Sequence, residues 1–181
     1  MFAPIAALRR LVRRFGRARE GVTAIEFGLV ATPFFFLIFG LAEVGMLGLA
    51  QTSLNFAVAD AGRQIRTGQA QLNGLTEAEI QQRICGNLND FMVMSCAGAL
   101  YIDVETFESF VAASPMASPV VDGVFDDSGF AYAPGGPNDI VVVRAFYRWS
   151  VITPMFEALL GNVAGGERLL SSTMMFRNEP Y

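Results

Sequence analysis

Two carboxylates stand in a stretch that is otherwise almost free of charge. Residues 22–50 are apolar apart from Thr23, Glu26, Thr32, Glu43 and small glycines, with Phe34-Phe35-Phe36-Leu37-Ile38-Phe39 at the centre. A carboxylate at mid-bilayer costs about 2.5–3.5 kcal/mol on insertion scales unless it meets a partner. Glu26 lies five residues after a glycine, in Gly21-Val22-Thr23-Ala24-Ile25-Glu26-Phe27. Were the chain cut after Gly21, the new amine of Val22 would sit about one helical turn from Glu26. The same amine on a neighbouring chain would serve equally and would set the axial register between helices. This is charge pairing rather than catalysis. A second reading stays open: Glu26 and Glu43 are about 25 Å apart along a helix, so both could mark the two interfaces of a plain anchor.

Other chemistry is scarce. The 181 residues hold 13 basic residues, all arginine, no histidine and 17 acids, for a net charge of -4. Without histidine there is no Ser-His-Asp triad, Cys-His pair or imidazole metal ligand. Without lysine, Schiff-base chemistry and the P-loop lysine are excluded as well. Glu105 and Glu108 resemble a glycosidase pair only in being two acids, and they fall on alternate strand faces as solvated charges. Asp122, Asp126 and Asp127 lack carboxylates at the alternate positions of a calcium loop. No enzyme activity, metal or cofactor is expected.

The elements that position the two carboxylates follow from charge and hydropathy. Residues 1–21 carry six arginines against one acid, and the rest seven against sixteen. An acidic body disfavours nucleic acid. A basic leader before an apolar run places the amino terminus in the cytoplasm and the residues after about 50 across the membrane. The run spans about 43 Å as a helix, where roughly 20 residues suffice. It is too long for the apolar region of a cleavable secretory signal. Residues 22–50 are therefore read as a transmembrane helix. Pro33 should kink it or free a carbonyl. Ala24, Gly28 and Thr32 at steps of four, with Gly40, Gly45 and Gly48, offer small-residue stripes for helix packing, a set to which Pro33 and Glu43 are also assigned, although glycine is also simply common in such helices.

Beyond the run, Leu54, Ala57, Val58, Ala61 and Ile65 keep a helical period, so the helix continues as a stalk to about Gly68. A second helix opens with Thr76 and Glu79 as a capping box and carries the stripe Ile80, Ile84, Leu88 and Phe91. Alternation over Leu100–Phe107, Ile140–Ile152 and 167–177 marks strands. A short apolar helix, Met155–Asn162, follows Pro154. Residues 109–139, with four prolines and four glycines, read as a long variable loop. Residues 51–181 thus form an α+β body: a stalk helix and a second helix against a small antiparallel sheet. Cys85 and Cys96 are the only cysteines. An even count on an oxidising side favours a disulfide, which requires the second helix to end near Asn89–Phe91 and turn back.

The junction at Gly21, with Ala31-Thr32-Pro33-Phe34, Gly40-Leu41-Ala42-Glu43, Ala61-Gly62-Arg63, Arg66-Thr67-Gly68 and the ending Phe176-Arg177-Asn178-Glu179-Pro180-Tyr181, resembles the TadE-like family, minor pilins or pseudopilins of the tight-adherence (Tad) pilus machinery. The resemblance covers the first third and the last ten or so residues. It implies a non-enzymatic component of a pilus assembly apparatus in the bacterial inner membrane, with a periplasmic body. It also implies cutting after Gly21 by a prepilin peptidase, with Val22 as the new amino terminus and Glu26-Phe27 at the pairing position. Partners implied are other pilin-like subunits, the inner-membrane assembly platform and that peptidase. The major pilin of such systems is a very short chain with Glu-Tyr after its cleavage site, so Glu26-Phe27 and a large body point to a minor subunit. An unprocessed periplasmic adaptor tethered in an envelope secretion complex is the alternative.

Overall fold

The computed structural model describes residues 21–89, 94–96, 98–114 and 116–181. The basic leader and Phe91 lie outside them. The chain divides into two compact units, one ending at Leu41 and one spanning Ala42–Tyr181. Helix α1, Val22–Arg66, runs through the boundary without interruption and contains Pro33. Proline has no N–H for the carbonyl of Leu29. One turn below, the Thr32 hydroxyl donates to Gly28 O at 2.8 Å, a local bond that satisfies a polar group without help from water.

In the first unit nearly every side chain from Val22 to Leu41 is exposed. α1 is long and apolar enough there to cross a membrane. In the second unit the same helix supplies core: Ala50, Leu54, Ala57, Val58, Ala61 and Ile65 are buried. The core-facing stripe begins at Glu43 and Ala50, so the end of the apolar stretch already belongs to the body.

A turn of helix, α2 (Gln69–Leu72), leads to α3 (Glu77–Asn89). Glu79 accepts from Thr76 N at 2.7 Å and Thr76 Oγ1 accepts from Glu79 N, the capping box read from the sequence. The Thr76 N–H, and then its hydroxyl donating to the same oxygen at 2.9 Å, hold the Glu79 carboxyl below the usual range. Ile80, Ile84 and Leu88 face the core. Cys85 on α3 is bonded to Cys96, with Cα atoms 5.7 Å apart.

The sheet has three antiparallel strands in the order β1 (Leu100–Phe107), β4 (Ile140–Trp149), β5 (Arg168–Arg177). Its inner face, with Ile102, Val104, Val141, Val143, Ala145, Tyr147, Trp149, Leu170 and Phe176, shares one core with α1 and α3. The architecture is α+β, a long apolar helix with further helices and a small antiparallel sheet.

Residues 109–139 depart from the expected loop. They hold a short helix α4 (Phe110–Ala113) and a hairpin of β2 (Val120–Val121) and β3 (Val124–Phe125). Asp122 (φ 51°) and Gly123 (φ 77°) make its turn, as Asp-Gly does when both central residues need positive φ. The segment then lies on the outer face of the sheet, where Phe125 and Phe130 pack with Tyr101 and Phe146. Its Tyr132 bridges Val104, covering the free edge of β1 that would otherwise invite pairing.

That cover buries a charge. Asp103, which alternation places on the strand face opposite Leu100, Ile102 and Val104, is fully buried. It accepts from Arg144 Nε at 2.9 Å and from Ala131 N at 3.0 Å, and Arg144 also donates to Ala117 O. The register sets Asp103 opposite Arg144, so the pair ties the 116–131 segment to the sheet. Asp103→Ala would leave Arg144 facing the cover with only the more distant Glu105, at 3.6 Å, as counter-charge. Breaking one partner of a buried pair costs about 3 kcal/mol or more. Urea unfolding of the detergent-solubilised chain should show that loss for Asp103→Ala and a smaller one for Asp103→Asn.

Candidate functional site

The residues that could pair with other chains are set out along α1 of the first unit. Val22, Ala24, Glu26, Phe27, Gly28 and Thr32 are all exposed. A side chain placed at Gly28 would meet nothing within 4 Å, and the same is true of Gly21. Gly40 is half-buried and Gly45 exposed, the latter also with open space beside it. Among the described residues, Glu26 makes no hydrogen bond or ion pair.

Glu43 is the opposite case. Its side chain is 1% exposed. One carboxylate oxygen accepts from Ile152 N at 3.0 Å. The other accepts from Thr153 N at 3.1 Å and from Thr153 Oγ1 at 3.0 Å. A buried charge is tolerated only when donors replace its water, and here three converge. All lie at the end of β4, just ahead of the 3-10 turn Pro154–Phe156. The donors are mostly backbone, which no side-chain pattern announces. They also account for one of two departures from the expected elements. β4 stops at Trp149 rather than Ile152, because Ile152 and Thr153 turn their N–H groups to the carboxylate. The helix after Pro154 is a 3-10 turn followed by α5 (Glu157–Leu160), ended where Gly161 N bonds Glu157 O. Expected as a helix-packing residue, Glu43 is engaged inside its own chain.

The far end of α1 is held by the carboxyl-terminal residues. Glu179 N donates to Arg66 O at 2.8 Å, and Arg66 Nε pairs with Glu179 at 3.4 Å. Asn178, buried, donates to Pro134 O and Gly136 O. Gly62 packs against Met174 and Phe176, and Gly68, at φ 76°, lies under the Tyr181 ring. The segments Ala61-Gly62-Arg63, Arg66-Thr67-Gly68 and Phe176–Tyr181 are therefore neighbours in space, although more than a hundred residues separate them in the chain.

Glu105 and Asp126 are engaged locally. Glu105 lies 3.6 Å from Arg144, and burial, then the neighbouring Asp103, push its carboxyl up. Glu105, Asp126, Phe130 and Arg144 border a shallow cleft, but its one guanidinium is already engaged by Asp103 and Ala117 O. Asp126 accepts from Ser128 N as a turn residue. Among the described residues no cluster of His, Cys, Asp or Glu could hold a metal ion.

A family model described as TadE-like protein matches residues 21–63, the family that the sequence resembles. The matched segment takes in Glu26, Glu43 and α1 almost to its end. It points to a pilin-like component associated with the Tad pilus, and the long apolar helix fits an envelope location. No curated protein and no solved structure matches the chain.

Two measurements probe the attachment of α1. Glu43→Ala strands the N–H groups of Ile152 and Thr153, each worth about 1–3 kcal/mol when buried without a partner. Equilibrium unfolding should register a loss of about 2–4 kcal/mol, with Glu43→Gln between it and the parent. Gly68 and Gly74 share positive φ, but only Gly68 has a neighbour in the way. Gly74→Ala should cost about 1–2 kcal/mol from the backbone alone, and Gly68→Ala more. Adding Tyr181→Ala should remove the excess in a double-mutant cycle.

Proposed function

We propose that this chain is a minor pilin or pseudopilin-like structural component of Tad pilus assembly, of the type IVc-like kind. In this reading a single amino-terminal helix inserts it in the bacterial inner membrane, with the amino terminus cytoplasmic and residues 51–181 periplasmic. A prepilin peptidase cuts after Gly21. Val22 then carries the new amine, and Glu26, followed by Phe27, receives it from the same chain or a neighbour. Ala24, Gly28, Thr32, Gly40 and Gly45 are the faces along which other pilin-like helices approach, with Pro33 setting the local path.

The observation that carries this reading is the contrast between two carboxylates on one apolar helix. Glu43 has three donors within its own chain, whereas Glu26 has none among the described residues. A carboxylate left open in lipid requires a cation from elsewhere. The amine freed at Val22 is close by in sequence, and a neighbouring subunit would bring another. The arginines of residues 1–21 support the orientation. The match to the TadE-like family over 21–63 supports the machinery.

The roles of Gly21 and Glu26 separate experimentally. Gly21→Leu should leave the chain full-length in the membrane fraction, as read by amino-terminal sequencing. Glu26→Ala should begin at Val22 like the parent yet fail to support piliation, scored in sheared surface fibres. A parent chain that still begins at Met1, with normal pili from both variants, contradicts the proposal.

A further inference from the structure

The β4–β5 connection, residues 150–167, carries an apolar surface that the body does not use. Val151, Phe156 and Val163 turn into the core, but Ile152, Met155 and Leu159 point out, at 58%, 68% and 72% exposure. Between Trp149 and Glu167 the only charged residue is Glu157. Three large apolar side chains on one short segment, with the backbone of that segment bonded to a helix that is itself apolar, need an occupant of matching chemistry.

Its position along the helix says which. The segment is fixed to Glu43 by the N–H groups of Ile152 and Thr153 and by the Thr153 hydroxyl. Glu43 stands 21 residues beyond Val22 in one uninterrupted helix, about 32 Å of rise. A hydrocarbon core is about 30 Å thick. If α1 begins its crossing near Val22, Glu43 and whatever it holds come to the outer edge of that core. Val44, next to Glu43, is exposed as well, so the apolar surface of the helix continues past the carboxylate. The charged groups stand at the end of the connection: Arg148 bonds Glu167 at 2.8 Å, and Arg168 is exposed. Exposed apolar side chains beside a single exposed acid, Glu157, which can stay at headgroup level, with the other charges at the two ends of the segment, suit an interfacial lipid contact.

We propose that the β4–β5 connection is a lipid-binding segment: Ile152, Met155 and Leu159 enter the outer boundary of the bilayer, and Glu43 holds them at that depth. The inference rests on the reading that α1 spans the membrane. Within it, Glu43 is a positioning residue that couples the level of the helix in the membrane to the seat of the sheet. Withdrawal of α1 from lipid would pull this segment out with it.

The test uses the full chain with the Cys85–Cys96 bond intact, reconstituted at low copy number in phosphatidylethanolamine/phosphatidylglycerol vesicles. These contain lipids bearing a nitroxide at a shallow acyl position. Single cysteines for a polarity-sensitive fluorophore are introduced by Leu37→Cys, Met155→Cys, Leu159→Cys and Leu72→Cys, one at a time. Labels at 155 and 159 should be quenched severalfold more than the label at 72, and Ile152→Ser should reduce the quenching at 155. Quenching at 37 with none at 155 and 159 overturns the lipid contact while leaving the anchor in place. No quenching at 37 overturns both. A label at 155 shielded from water only at high protein-to-lipid ratio, without lipid quenching, means that a second copy covers the segment, and also overturns the proposal.

Discussion

A carboxylate cannot be removed from water without donors to replace it, and Glu43 is such a carboxylate on a helix that offers none. Its own helical backbone is occupied, and its neighbours Ala42 and Val44 are apolar. The donors must come from another part of the chain, and they come as two consecutive peptide N–H groups and one hydroxyl. Much of the local structure follows from this. β4 must end where its N–H groups are diverted, and the chain must turn ahead of Pro154. β5 must then return antiparallel beside β4, from Arg168 onward. Gln51, two turns further along α1, bonds Ser171 O on that returning strand, so the second attachment follows the first in register.

The part of α1 beyond Ala42 is in this sense a core element held at both ends. Glu43 fastens one end to the 152–153 turn. At the other, Gly62, Arg66 and Gly68 give close access to Phe176, Glu179 and Tyr181. Between them a continuous apolar stripe lies on the inner face of the sheet. A helix attached in this way cannot slide or rotate against its body without breaking buried hydrogen bonds.

The sequence was most informative where periodicity and local chemistry act alone. The alternation of Leu100–Phe107 and Ile140 onward gave strands, and Thr76 with Glu79 gave a helix start, because each depends on residues a few positions apart. The 3.6-residue stripe Leu54–Ile65 gave the core face of α1 for the same reason. Legibility failed where a residue's role is decided by a distant segment. Alternation puts Asp103 on the face away from the apolar residues of its strand, but it does not announce that the 116–131 segment folds over that face. That segment looked structureless from its prolines and glycines, although Val120-Val121-Asp122-Gly123-Val124-Phe125 carries the Asp-Gly hairpin signal in plain view. Glu43 was visible as an anomaly, but backbone donors at Ile152 and Thr153 leave no mark in a sequence.

The central claim is that Glu43 is satisfied inside its own chain and so fastens α1 to the sheet. Amide hydrogen exchange on the full-length protein in detergent reads this at the donors themselves. The amides of Ile152 and Thr153 should exchange as slowly as the core strands in the parent and lose that protection in Glu43→Ala, while the amides of β1 keep theirs. Fast exchange at both amides in the parent, or protection unchanged by Glu43→Ala, would contradict the account.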